Sequence, residues 1–362
     1  MIKQKTAIKL SNKIKQYFSV DTEGYMRANK KAQMKSLPSV SKTYGPQNDL
    51  FNDFNMSPEK MSFRIETLSS EEWFQYVNIV SSHINSKNTQ GRELRLGVLE
   101  TNTNKWVGFI RVNSPLINMK PRNDLVENKK PNLKRVNRHI LNGNTIVPVQ
   151  PFGYNCLGGK LLALICTSDW LRRKFDRKHK TNIVMFETTS LYGNSKSCSQ
   201  YDGLKPFIRN KGLTDSNFVP LIQGNLFKEL KDTIKPDIKT KSSNRKLLTQ
   251  IKCFEEIKKS LPKDKKISFL RTLEKAKSIN EQKRYYVSNY GFSNYVDVIN
   301  EQPEVFKRQL DKNENYDKHN LQNLIEFWKN KAVKRYQKIK SDNKLRTEQE
   351  TWLDDENLQI IR

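Results

Sequence analysis

The sequence predicts an α/β (α+β) fold, a mixed sheet with helices, followed by a basic, mainly helical C-terminal extension. Three observations carry this. Residues 92–112 read as two period-two strands around a polar turn, residues 145–186 alternate strand, glycine-bearing loop, helix and strand, and residues 328–346 form an amphipathic basic helix. The chain of 362 residues is long enough for two domains or for one domain with a long appendage.

The first sixty residues carry scattered lysines with Asn, Ser and Pro, and predict a short basic helix near 6–18 followed by a loose arm. A core domain then spans 61–230. In it Leu94, Leu96 and Val98 alternate along the first strand, Asn102, Thr103 and Asn104 make the turn, and 106–112 returns as the second strand. The basic, Pro- and Asn-rich stretch 118–138 cannot be one regular element. Residues 145–149 form a short apolar strand, 150–159 a loop, 160–175 an amphipathic helix and 183–186 a further strand ended by Glu187; residues 205–212 close the domain. The extension covers 231–362, and no solenoid period repeats along the chain.

Composition sets the class of partner. The 66 Lys+Arg exceed the 38 Asp+Glu by a formal +28, which points to a polyanion. An aromatic content of 10% argues against a wholly disordered chain. No apolar run reaches the length of a membrane-spanning helix, and residues 1–10 interleave lysines with single apolar residues, without the apolar centre of a secretory signal. Cys156, Cys166, Cys198 and Cys253 form no C-x-x-C pair, and His83, His139, His179 and His319 are dispersed. A reduced, cytoplasmic protein with no metal site is the expectation.

The basic residues recur in clusters at 129–138, 172–180, 245–266 and 329–346. In the last, Trp328, Ala332, Tyr336 and Ile339 share one side of a helix, and Lys331, Lys334, Arg335 and Lys338 form an adjacent stripe suited to phosphates. Arg172 and Arg173 are further candidates for nucleic-acid contact. Nucleic acid, DNA ahead of RNA, is the expected partner, and no membrane partner is expected. A solvated charged face is the plainer alternative. The Tyr-rich stretch 283–295 reads either as a base-stacking surface or as a structural aromatic cluster.

Two glycines, Gly158 and Gly159, stand where a strand hands over to a helix. Backbone N–H groups at a helix start attract phosphate, so Asn155, Leu157, Gly158, Gly159 and Lys160 are candidates for holding a cofactor's phosphates. The alternative is that the glycines permit tight helix packing. The loop is neither a Walker A nor a G-x-G-x-x-G motif. After the next strand, residues 187–202 are rich in proton-transferring groups. Glu187 is a candidate general base, Tyr192 or Tyr201 a candidate acid, and Lys196 a candidate anion ligand. Capping chemistry and a structural ion pair are the competing readings.

Asn144, Ile146-Val147-Pro148, Leu157-Gly158-Gly159 and Glu187-Thr188 resemble the centre of the Druantia-type anti-phage DruA family. The likeness covers about 105–217 and implies architecture better than reaction. The order hairpin, strand, glycine loop, helix, strand also resembles GNAT-like acyltransferases, including the Mom type of DNA-modifying enzyme. That resemblance implies a GNAT-like core, acetyl-CoA or a related acyl or nucleotide cofactor, and base modification on DNA in a bacterial or phage-infected host cell. The loop departs from the GNAT pattern: its Arg/Gln is absent, and Gly153 stands five residues before Gly158. A non-catalytic DNA-binding protein on a degenerate acyltransferase fold is therefore one alternative. A Mg²⁺-dependent nuclease using Glu187 and Asp202 is another.

Overall fold

The computed structural model describes residues 2–37, 46–85, 91–190, 198–215, 219–238, 245–279, 283–300, 310–353 and 358. Its first helix, α1 (Gln4–Tyr17), follows from apolar residues at helical spacing: Ala7, Leu10 and Ile14 are buried on one face. Helix α2 (Thr22–Ser36) starts where the Asp21 side chain accepts a hydrogen bond from the Gly24 N–H at 2.8 Å. After strand β1 (Phe63–Thr67), helix α3 (Ser70–Val80) opens with a capping box, Ser69 and Glu72 each bonding the other's backbone N–H.

Strands β2 (Glu93–Glu100) and β3 (Lys105–Asn113) form the expected hairpin. The buried Glu100 carboxylate fixes its turn, accepting from the Thr103 N–H at 2.8 Å and from the Asn102 N–H at 3.1 Å. The basic insertion holds two short helices, α4 (Lys120–Leu125) and α5 (Leu133–His139). Strand β4 (Ile140–Pro148) follows, then the small helix α6 (Phe152–Asn155).

The helix expected over 160–175 is two helices, α7 (Gly158–Cys166) and α8 (Asp169–His179). The Thr167 and Ser168 hydroxyls donate to the Leu164 and Ile165 carbonyls and end the first, and Ser168 accepts from the Leu171 N–H to start the second. Strands β5 (Met185–Thr189) and β6 (Arg209–Leu213) precede three helices, α9 (Gly224–Ile234), α10 (Arg245–Ser260) and α11 (Lys263–Lys277). Strand β7 (Arg284–Ser288), α12 (Tyr295–Asn300) and the long α13 (Leu321–Ser341) complete the chain.

The seven strands form one mixed sheet in the order β1-β2-β3-β4-β5-β7-β6. All pairings are antiparallel except β4 with β5. The core therefore does not end at 230, and 231–362 is not a separate extension: β7 lies inside the sheet, between β5 and β6. Tyr285, Tyr286, Tyr290 and Phe292 are buried there, so the Tyr-rich stretch builds core and offers no base-stacking surface at these positions. Helix α13 buries Trp328, Ala332, Tyr336 and Ile339, as its spacing predicts, and the Trp328 indole donates to the Cys156 carbonyl at 2.9 Å beside α7.

The described helices of residues 1–60 are not a loose arm either. Ala7, Leu10, Ile14 and Phe18 pack with Leu230, Phe254, Ile257 and Phe269 into a second core, so α1 and the insertion between β6 and β7 make one helical lobe. Helix α2 returns to the sheet domain through Lys30, which is fully buried and donates to the Asn78 carbonyl at 2.6 Å and to Gln33 at 3.0 Å. Burial lowers the Lys30 ammonium from 10.5 to about 7. Between those values the unfolded chain holds more protons than the folded one, so wild-type stability gains as pH rises from about 7 toward 10.5. Compared by urea denaturation, the advantage or deficit of Lys30→Met relative to wild type should shift in favour of wild type across that window. A pH-independent difference would contradict a buried charged lysine.

Candidate functional site

The parallel pairing of β4 and β5 is short, running from Ile140 opposite Met185 to Gly143 opposite Thr188. Beyond it the two strands part. The cause is local: against β3, Val112 faces Gly143 while Arg111 faces Thr145, leaving Asn144 as an extra residue. Such a bulge bends its strand. The Arg111 guanidinium holds it, donating to Asn144 Oδ1 at 2.6 and 3.0 Å while lying 5.3 Å from the centre of the Trp73 ring.

A cleft of about 250 Å³ occupies the gap. Residues 144–148 of β4, 188–190 at the end of β5, 80–83 behind α3, 198–201, Gln150 and Lys283 line it. The carboxyl ends of adjacent parallel strands are where open α/β sheets bind ligands. Past Gly143, β4 has β3 on one side and the cleft on the other.

The segment 198–202 forms one wall and is pinned from two sides. From α7, the Lys160 ammonium donates to the Gln200 carbonyl at 3.3 Å and to the Asp202 carbonyl. From β7, Arg284 and the Tyr286 hydroxyl donate to the Asp202 carboxylate at 3.2 and 2.8 Å, and the Ser199 N–H adds a bond of 2.8 Å. Tyr201 is thereby set into the wall, its ring 5.1 Å from Tyr286 and its hydroxyl beside the Thr188 side chain. Burial pushes the Tyr201 phenol up to about 12, so it carries its proton at neutral pH.

The candidate residues divide as follows. Tyr201 lines the cleft; Tyr192 and Lys196 lie outside the described residues. Glu187 points to the other face of β5. It is fully buried, accepts from Arg122 at 3.2 Å and from the Tyr285 hydroxyl at 2.7 Å, and does not line the cleft. Burial raises the Glu187 carboxyl, opposed by the Arg122 charge and the Tyr285 bond. The structural ion pair is thus the arrangement found. Asp202 belongs to the opposite face, with Tyr286, so strand alternation separates the two carboxylates named for a nuclease. Among the described residues no group of three or more His, Cys, Asp or Glu could hold a metal ion.

The glycine loop does not form an open cradle. A Cβ on Gly158 would lie 2.5 Å from the Phe152 ring, and one on Gly159 would lie 2.3 Å from Gln200 Oε1. Leu157, at φ 54°, turns the chain between helices, and its carbonyl accepts from Trp328 at 3.1 Å. Asn155 holds the C-terminal segment, donating to the Arg346 carbonyl at 2.7 Å and accepting from its N–H at 3.2 Å. Lys160 anchors the 198–202 wall. These residues support the cleft from beneath and do not line it.

Of the basic candidates, Lys334 and Lys338 are exposed on α13. Lys331 lies over the Phe327 ring at 5.0 Å, and Arg335 over Tyr154 at 4.8 Å. Arg173 is exposed and paired with Asp169 at 3.4 Å. Arg172 is not a surface group: it is buried against Phe292 at 5.2 Å and paired with Asp176 at 3.6 Å.

Two cleft residues carried no signal in the sequence. His83 lines the cleft, and burial, with the charges of Lys283, Lys30 and Arg111, pushes it down to about 4. Lys283 is held below the ordinary lysine range by burial. No carboxylate lines the cleft among the described residues.

A mixed sheet with helices, opening into a polar cleft where two parallel strands part, defines an α/β protein with a candidate ligand site. A family model described as Druantia protein DruA matches residues 12–197, just over half of the chain, and the chain belongs to that family. Neither the curated proteins nor the solved structures gave a match.

Removing one member of a buried ion pair leaves the other charge uncompensated, so Glu187→Ala should lower stability by about 3–5 kcal/mol in chemical denaturation. The double variant Glu187→Leu/Arg122→Met should recover much of that loss. A single variant as stable as wild type would refute the structural role.

Proposed function

We propose that this chain is an anti-phage defence protein that acts on DNA, its cleft serving group transfer to a base. The family description supports the defence role. The observation that carries the chemical reading is the cleft at the β4–β5 divergence, with the protonated Tyr201 in its wall. The order hairpin β2–β3, strand β4, glycine loop, helix α7 and parallel strand β5 is the order that the GNAT-like resemblance implies.

The site fits an acyl cofactor in part. The open edge of β4 at 144–148 suits an extended arm, whereas Gly158 and Gly159, packed under Phe152 and Gln200, do not suit its phosphates. When bound, acetyl-CoA or a relative would supply an activated acyl group. Tyr201 holds a proton at its hydroxyl for a leaving group, and the walls at 80–83 and 198–201 restrict water. A base within a duplex must leave the stack to reach such a cleft. The covered glycine loop favours the second reading, a DNA-binding protein on a degenerate acyltransferase fold.

DNA contact rests on the exposed basic residues. The helical lobe exposes Lys5, Lys9 and Lys15 on α1 and Lys252, Lys258 and Lys259 on α10, and α13 adds Lys334 and Lys338. Among the described residues no helix is long and apolar enough to cross a bilayer.

Nucleoside mass spectrometry of DNA from cells expressing the chain should reveal a modified base, lost in Tyr201→Phe at unchanged melting temperature. Unmodified DNA, together with no stabilisation by acetyl-CoA or related cofactors, would favour the binding reading. Neutralising Lys5, Lys9, Lys252 and Lys259 should weaken DNA binding at all sequences. Each lost phosphate contact should flatten the log–log salt dependence by about 1. An unchanged slope would place the DNA elsewhere.

A further inference from the structure

The cations buried in the fold are matched. Lys30 bonds the Asn78 carbonyl, Arg111 bonds Asn144, Arg122 pairs with Glu187 and Arg172 with Asp176. Lys283 differs. Its backbone is fixed, the Lys283 N–H donating to the Thr214 hydroxyl at 2.8 Å and its carbonyl accepting from the Thr214 N–H at 2.8 Å. Lys283 lines the cleft, and its ammonium has no hydrogen-bond or ion-pair partner among the described residues. His83 lines the same cleft, and its ring has no hydrogen-bond or ion-pair partner among the described residues.

An ammonium without a partner among the described residues, on a backbone fixed by hydrogen bonds and in a cleft to which no described residue brings a carboxylate, is a candidate site for an anion. The imidazole beside it is neutral at physiological pH, because His83 is pushed down to about 4, and so offers one N–H donor and one acceptor. Thr189 and Ser190 add hydroxyl-bearing side chains, and Val80, Ile146, Val147 and Pro148 add an apolar wall for an attached organic group. A volume of about 250 Å³ is below the roughly 300–1,000 Å³ of drug-sized sites, so the cleft takes the end of a molecule.

We infer that Lys283 and His83 form a phosphate subsite, which takes the phosphate monoester of a nucleotide, free or at the 5′ end of a DNA strand. The inference rests on the reading of the cleft as a ligand site, and moves the phosphate from the glycine loop, where Gln200 packs, to the cleft lining at Lys283, the residue before β7.

The test is calorimetric titration of the full chain with AMP, with adenosine, and with a short single strand bearing either a 5′-phosphate or a 5′-hydroxyl. AMP should bind and adenosine should not. Loss of a charge-assisted hydrogen bond is worth about 1.5–3 kcal/mol, so Lys283→Ala should weaken AMP by roughly tenfold to a hundredfold. Lys283→Arg should retain binding, and the melting temperature of each unliganded variant establishes its folding; Lys283→Met serves if the alanine variant does not fold. A 5′-phosphate preference of the strand that vanishes in the folded Lys283 variant identifies a DNA end, whereas discrimination with AMP alone identifies a free nucleotide. Equal AMP affinity in wild type and a folded Lys283→Ala or Lys283→Met variant, or equal binding of adenosine and AMP, would overturn the subsite. Failure of the group-transfer reading shows separately, as unmodified DNA in the nucleoside analysis while AMP still binds through Lys283.

Discussion

The extra residue Asn144 bends β4 away from β5 immediately after their four paired positions, and the architecture of the cleft depends on that bend. A straight β4 would continue its ladder beside β5, and the space now occupied by the cleft would be filled by main-chain hydrogen bonds. Arg111 makes the bulge durable. Its guanidinium is 2% exposed, lies against Trp73 and Phe74, and spends its donors on the Asn144 side chain. A buried charge is tolerable when hydrogen-bonded and stacked in this way. The opening in the sheet is therefore held by the hydrophobic core behind α3.

The second support is the peg formed by Asp202. One carboxylate receives Arg284, Tyr286 and the Ser199 N–H, while Lys160 holds the neighbouring carbonyls. Lys160 comes from α7 and Arg284 and Tyr286 from β7, elements separated by more than a hundred residues of sequence. Tyr201, between two such anchors, has its orientation determined by its neighbours' bonds. The glycines at 158 and 159 belong to this support: without side chains, they let Phe152 and Gln200 pack directly on the first turn of α7.

Much of this fold was readable from local pattern, and little of the site was. The 93–113 hairpin, the helix at 4–17 and the buried side of 321–341 each follow from a period of side chains along one segment. The break at Thr167-Ser168 was hidden because apolar spacing continues across it, while hydroxyl capping decides the boundary. The partnership of Glu187 with Arg122 was not readable, since the two are 65 positions apart and Arg122 sits in a stretch that looks like a charged loop. Nor does any pattern bring His83 to Lys283. Only the sheet does, by placing β7 after a long helical insertion yet beside β5.

That insertion also explains how a strongly basic lobe coexists with an ordered sheet. The chain leaves at the end of β6 and returns at β7, its antiparallel neighbour, so the stem closes on itself through Thr214 and Lys283. A loop whose ends already meet adds little closure cost as it lengthens. The helices between those ends then bury their apolar faces against α1 in a core of their own, which leaves their lysines to solvent. The residue that closes the stem, Lys283, also lines the cleft. Lys283 thus owes its place to the junction between the charged lobe and the sheet, its backbone bonds serving the fold while the residue lines the cleft.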